Sequence, residues 1–309
     1  MYRYSSCFRG VDFKLSLYPS FIYPLFEEPQ PNTFIKVYGY AKGLTVKQLD
    51  NAVEFSHSAP LDLEDLRSLS GSWLDPLGSL EELDPKPRRI VEQFLKMYPG
   101  LRIVTVPKDY VLLFIAIFLS RNTDFHVNTS RWMKKLFRVF GEPEKIVEEP
   151  EKIRCIGSSY QLRQLPQALK IFFYKVEVKS CENPDELRKV LLKIPNVGPK
   201  VADAYLLFVC RLSSVSPIDT NFMRMLKMLG LIEGKYVVPN KSMCLQAQSC
   251  VETIRCRYSD ACAVPRVRRL FGSLTGWVQT AAYLHVKTVC RKSLCKDCAL
   301  RIVCKGSSL

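Results

Sequence analysis

Residues 183–212 set two helices end to end with a stop between them, and the rest of the chain must fold around that hairpin. Asn183-Pro184-Asp185-Glu186 reads as a helix start. Asn183 can cap, Pro184 suits the first helical position and Glu186 completes a capping box. The helix runs to Lys193. In Ile194-Pro195-Asn196-Val197-Gly198-Pro199-Lys200, Pro195 ends it, Gly198 permits a tight turn and Pro199 opens a second helix over Lys200–Leu212. Asn196, Val197 and Gly198 thus present free backbone N–H groups at a helix N-terminus, where a phosphate can bind without side-chain charge. An ordinary helical hairpin has the same pattern, so this segment alone leaves packing and binding as alternatives.

Two residues near the hairpin carry possible chemistry. Lys200 lies in the first turn of the second helix and faces the positive end of its dipole, which lowers the cost of the neutral, nucleophilic amine. Asp219, in Ser216-Pro-Ile-Asp-Thr-Asn, precedes a predicted helix over Thr220–Leu229. Taken alone it is a helix cap.

Charge indicates the class of partner. The 309 residues carry 45 Lys and Arg against 30 Asp and Glu, a net charge of +15. The excess is uneven: residues 1–90 hold 10 basic and 12 acidic residues, and residues 91–309 hold 35 and 18. A polyanion such as nucleic acid would meet the second part. With 47% hydrophobic residues the chain is globular rather than disordered. The longest apolar run, Tyr110–Leu119, is half of a membrane span. The first residues have no apolar signal core, so a cytoplasmic, nucleoid-associated protein is expected.

Residues 1–60 alternate like strands, notably Val11–Leu17 and Phe34–Tyr40. Short helices are expected at Leu61–Leu69 and Leu80–Leu83. Pro85-Lys-Pro-Arg-Arg reads as a linker into a helix at Ile90–Met97. Tyr110–Leu119 is apolar all round and reads as a buried central helix. Val127–Phe140 is amphipathic and basic, and Tyr160–Tyr174 is a further helix. The expected division is a β-containing lobe at 1–85, a helical region at 86–286 and a cysteine-rich loop at 287–309.

Lys200 and Asp219 together resemble the helix-hairpin-helix DNA glycosylase superfamily. Leu192-Lys-Ile-Pro-Asn-Val-Gly-Pro-Lys-Val-Ala-Asp followed by Pro217-Ile-Asp219 is similar to its central motif in order and spacing. The resemblance implies a mainly α, two-lobed fold with an N-terminal α+β lobe, Lys200 as catalytic nucleophile and Asp219 as catalytic carboxylate. A lysine at 200 implies strand cleavage as well as base removal, and Val201-Ala-Asp203 looks most like the 8-oxoguanine branch. Phe118-Leu-Ser-Arg-Asn-Thr-Asp resembles the segment that enters the duplex beside the extruded base, which makes Arg121 and Asn122 candidate wedges. A polar end on a buried helix reads the same way. Residues 1–85 look only loosely like the family's β-lobe. Asn221 stands where several endonuclease III-like members have histidine, so proton traffic in the pocket differs from theirs.

Cysteine is plentiful, at 12 residues. Cys290-x4-Cys295-x2-Cys298-x5-Cys304 can converge tetrahedrally on a metal or cluster. With Leu284-His285 ahead of it, the run resembles the [4Fe–4S] loop of the endonuclease III branch. Its first gap is two residues shorter than the usual six, which keeps zinc as an alternative. Cys244, Cys250, Cys256 and Cys262 recur every six residues. On a helix that spacing points neighbours in different directions, so these read as core thiols or an occasional disulfide ahead of a metal site.

The expected activity is a bifunctional DNA glycosylase and abasic-site lyase, acting as a monomer on double-stranded DNA with a damaged base, foremost 8-oxoguanine. An endonuclease III-like enzyme for oxidised pyrimidines and a non-catalytic DNA-binding repair scaffold are the alternatives.

Overall fold

The computed structural model describes residues 1–4, 8–50, 52–176, 181–232, 234 and 236–305. Five strands form one antiparallel sheet near the N-terminus: β1 (Tyr2–Tyr4), β2 (Phe26–Gln30), β3 (Thr33–Lys36), β4 (Thr45–Gln48) and β5 (Val53–His57), in the order β1-β5-β4-β3-β2. Phe34 pairs with Val46 and Val46 with Phe55. All three are buried, so this face of the pleat is the core face.

Val11–Leu17 is not the strand its alternation predicts. Asp12 accepts the Leu15 amide at 2.8 Å and caps a short helix, α1 (Phe13–Leu17). The i, i+4 pair Phe13 and Leu17 turns inward together. The local cap outweighs the period-two pattern.

The rest is helical: α2 (Leu63–Ser70), α3 (Pro85–Met97), α4 (Tyr110–Leu119), α5 (Ser130–Phe140), α6 (Glu144–Glu148), α7 (Tyr160–Lys175), α8 (Pro184–Lys193), α9 (Pro199–Phe208), α10 (Thr220–Met228), α11 (Lys241–Leu245), α12 (Ala263–Phe271) and α13 (Thr275–Thr288). Pro85–Arg89 is the first turn of α3 rather than a linker, because a proline at the first helical position needs no N–H partner. α9 ends at Phe208, before the expected Leu212. α4 is buried from Leu112 to Leu119, as its composition predicts.

Two apolar cores hold these elements together. One joins the sheet to α4, α5, α7, α8 and α9. The other gathers α3, α10, α12 and α13. At Gly276 an added Cβ would lie 2.4 Å from Leu207 and 3.0 Å from the Val215 carbonyl, so glycine lets α13 approach α9 closely. Two buried ion pairs fix the geometry. Lys36 Nζ lies 2.6 Å from Asp109 just before α4, tying the sheet to the central helix. Arg188 of α8 makes a forked bond to Asp203 of α9, 2.6 and 3.2 Å, which holds the hairpin helices together. No helix among the described residues is long and apolar enough to cross a membrane.

Candidate active site

Asn183 caps α8 through the Glu186 amide at 3.2 Å, as expected. The turn that follows differs in one respect from its sequence reading. Asn196 takes the left-handed conformation (φ 61°), whereas Gly198 is extended and starts α9. A Cβ at Gly198 would meet nothing within 4 Å, so neither strain nor packing inside the protein demands glycine there. No side chain caps α9. Val197 is fully buried and anchors the turn from below, leaving the backbone of Asn196 and Gly198 on the outer side.

Lys200, in the first turn of α9, reaches Asp219. Nζ to Oδ2 is 3.4 Å, with the lysine side chain 46% exposed and the aspartate 17%. Buried Ile218 fixes the segment before Asp219. The other Asp219 oxygen accepts the Phe222 amide at 2.8 Å and caps α10. The capping reading and the chemical reading therefore both hold, because one carboxylate has two oxygens.

The pair stands at the edge of a cleft of about 340 Å³, within the ~300–1,000 Å³ of small-molecule sites. Phe21 and Phe208 meet edge to face, 5.0 Å between centroids, and form an apolar wall. From α13 come Gln279, Tyr283 and Lys287, and Arg291 follows from the cysteine loop. Burial raises the Tyr283 phenol above its ordinary range, so it stays a neutral hydrogen-bonding group. Lys287 pairs with Asp124 at 2.5 Å, which holds that carboxyl below its usual range.

Tyr283 and Phe125 are the other aromatic residues of the lining. Phe21 and Phe208 carry no local signal. Gln279 had one: a polar side chain directly after the apolar Trp277 and Val278, buried at 8% exposure.

Arg121 and Asn122 also line the cleft. Asn122 is exposed at positive φ (48°), at the tip of the loop after α4. Arg121 is turned into the protein. Its guanidinium stacks on Phe118 at 3.7 Å and donates to the carbonyls of Phe118 (2.7 Å) and Asn196 (2.8 Å) and to Gln164 Oε1 (2.9 Å). It therefore ties the loop to the hairpin turn, and Asn122 is left as the residue pointing outward.

Behind the loop, His126 stacks on Tyr18 at 3.9 Å. Both of its ring nitrogens are buried without hydrogen bonds, and burial, with Lys287 nearby, lowers its pKa to about 4.

Cys290, Cys295, Cys298 and Cys304 gather past the end of α13. Burial first, then the three other thiols, push Cys290 up to about 11. Cys290, Cys298 and Cys304 pack against the core that gathers α3, α10, α12 and α13. Cys298 Sγ lies 3.4 Å from Nε2 of the buried His285, and Tyr98 holds the other ring nitrogen at 2.8 Å. Three partly buried thiols and the exposed Cys295, with basic neighbours, fit a thiophilic metal or cluster in kind. Among the described residues no three His, Cys, Asp or Glu side chains close tightly on a single point.

No family model matches the chain. A probable N-glycosylase/DNA lyase of Methanothermobacter thermautotrophicus is 22% identical over 137 residues, which span 44% of this chain and 36% of that relative. The structure of MBOgg1 with a low-affinity DNA ligand superposes with a TM-score of 0.66 at 18% identity, over 93% of this chain and 99% of its own. An 8-oxoguanine glycosylase/lyase of Clostridium acetobutylicum, bound to double-stranded DNA with cytosine opposite 8-oxoguanine, gives 0.64 at 15% identity, over 93% and 98%. These likenesses extend across both lobes and establish the fold.

Proposed function

We propose that this chain, which has the two-lobed fold of the helix-hairpin-helix DNA glycosylases, is a bifunctional DNA glycosylase and abasic-site lyase that removes an oxidised base, foremost 8-oxoguanine, from double-stranded DNA. The observation that carries this reading is the Lys200–Asp219 pair, 3.4 Å apart at the edge of a nucleobase-sized cleft beside an uncapped helix N-terminus.

The DNA backbone lies on the hairpin. The amides around Gly198 take a phosphate, and the missing Cβ lets it come close. The strongly basic second part of the chain supplies the sequence-independent grip. Asn122 fills the space left when the base turns out of the duplex, and Arg121 holds that loop against the hairpin. Turning the base out costs a few kcal/mol, which phosphate contacts offset. In the cleft the base stacks on the aromatic wall, and Gln279 hydrogen-bonds its edge.

Neutral Lys200 Nζ attacks the anomeric carbon. The glycosidic bond breaks, and its electron pair leaves with the base. Asp219 stabilises the positive charge that develops on the sugar and takes the lysine proton directly or through water. The resulting imine permits β-elimination, which nicks the strand.

Cys290, Cys295, Cys298 and Cys304 would hold a [4Fe–4S] cluster, with zinc the alternative. When bound, the group cross-links the loop that carries Arg291 into the cleft. A location with the chromosomal DNA, in the cytoplasm, follows from this activity.

Borohydride trapping tests the reading. The wild type should form a covalent adduct with duplex carrying 8-oxoguanine, and Lys200→Ala should form none while still binding. A panel with 8-oxoguanine, thymine glycol, uracil or an abasic site, read for strand cleavage, fixes the base. An adduct that survives Lys200→Ala refutes the assignment.

A further inference from the structure

When the glycosidic bond breaks, its electron pair goes to the base, so the base gains negative charge as it leaves. Asp219 serves the other end of that bond, where the sugar turns positive. The aromatic wall and the Gln279 amide, which hold the base, carry no charge. Among the described residues, four cationic side chains line the cleft: Arg121, Lys200, Lys287 and Arg291. Three of them are committed or open to water. Lys200 attacks as the neutral amine. Arg121 is bonded to two backbone carbonyls and to Gln164. Arg291 is exposed. Lys287 is different. Its side chain is 16% exposed, and it follows Gln279 and Tyr283 at four-residue intervals on the face of α13 that lines the cleft.

A carboxylate holds this ammonium in place. Lys287 Nζ donates to Asp124 Oδ2 at 2.5 Å. The other oxygen of Asp124 accepts the amides of His126 and Val127 at 3.0 and 3.1 Å, which caps the turn that leads into α5. Asp124 is more open to solvent than Lys287, so water screens its charge and leaves the lysine's positive charge only partly offset. An ammonium has three N–H donors. One is spent on Asp124, and no side chain or carbonyl among the described residues takes the other two.

We propose that Lys287 is a catalytic residue for the leaving base: its ammonium donates a hydrogen bond to the base and offsets the negative charge that the base carries away. The bond from the anomeric carbon to the base nitrogen breaks, and its electron pair stays on that nitrogen. Lys200 Nζ forms the new bond to the anomeric carbon. The base anion, held beside the ammonium, takes its proton from water. Lys287 begins and ends the step as an ammonium. In a cleft shielded from solvent a fixed charge of this kind is worth more than in water. The two lysine–aspartate pairs then divide the work, Lys200–Asp219 at the sugar and Lys287–Asp124 at the base. The inference rests on the glycosylase reading and adds to it the group that serves the leaving base.

A preformed abasic site has no base to lose, so it separates this role from every other. Single-turnover base release from a damaged-base duplex is measured beside nicking of the same duplex with an abasic site. Lys287→Met should slow base release about 10²–10³-fold and nick the abasic duplex at the wild-type rate. Lys287→Arg, which keeps the charge, should recover most of the base release. Should Lys287→Met fail to fold by circular dichroism, Lys287→Gln, which keeps a donor toward Asp124 but no charge, takes its place with the same expectation. The assignment is overturned if base release is unchanged. It is equally overturned if both rates fall together, because Lys287 would then only hold the loop through Asp124. A wild type that releases no base from any duplex of the lesion panel defeats the glycosylase reading, and this assignment falls with it.

Discussion

Asp219 has two tasks, and two substitutions separate them. Asn is as good an N-cap as Asp, so Asp219→Asn keeps the bond to the Phe222 amide and removes only the charge facing Lys200. That ion pair is partly exposed, with the lysine side chain 46% open to solvent, so its share of stability is about 0–1 kcal/mol. The expected Tm change is at most about 4 °C. Asp219→Ala also loses the cap, about 1 kcal/mol more. If the carboxylate stabilises a sugar cation, both variants lose that stabilisation equally. Removing one such electrostatic group costs about 2.7–4 kcal/mol, or about 10²–10³-fold in rate. The assay is single-turnover base release from an 8-oxoguanine duplex, run beside thermal unfolding. Asn should match Ala in rate and exceed it in Tm. The reasoning fails if Asn keeps the wild-type rate, because the residue would then be a cap and nothing more.

Arg121→Ala should weaken duplex binding about tenfold or more by releasing the loop from the hairpin, while leaving the salt slope of binding unchanged. A slope smaller by about 0.9 would place the guanidinium on a phosphate instead. Asp203→Ala strands the buried Arg188 charge and should cost about 3–5 kcal/mol, read as a fall in Tm of at least about 6 °C. His126 has a folded pKa of about 4 against an unfolded value near 6.5. Between those values the unfolded chain binds a proton that the folded chain does not, so stability falls as pH drops from about 6.5 toward 4, and above 6.5 the residue contributes no pH dependence. His126→Gln should flatten that part of the Tm–pH curve, and superimposable curves would refute the assignment.

The sequence alone determined what short-range chemistry dictates. Asn183 with Pro184 starts a helix, Pro195 ends it and Pro199 starts the next, because caps and the missing proline N–H act within a few residues. The apolar run Tyr110–Leu119 had to be buried, since no face of it suits water. The net basic charge of residues 91–309 needs no fold to be counted. The tertiary structure decided what depends on residues meeting across the chain. Lys200 and Asp219 face one cleft because buried Ile218 and the α9–α13 contact at Gly276 set the approach of α10. Phe21 reaches Phe208 from another part of the chain. Arg121 finds the Asn196 carbonyl 75 residues away instead of solvent. Spacing along a chain fixes direction only where local hydrogen bonds enforce a period, and elsewhere packing decides where a side chain points.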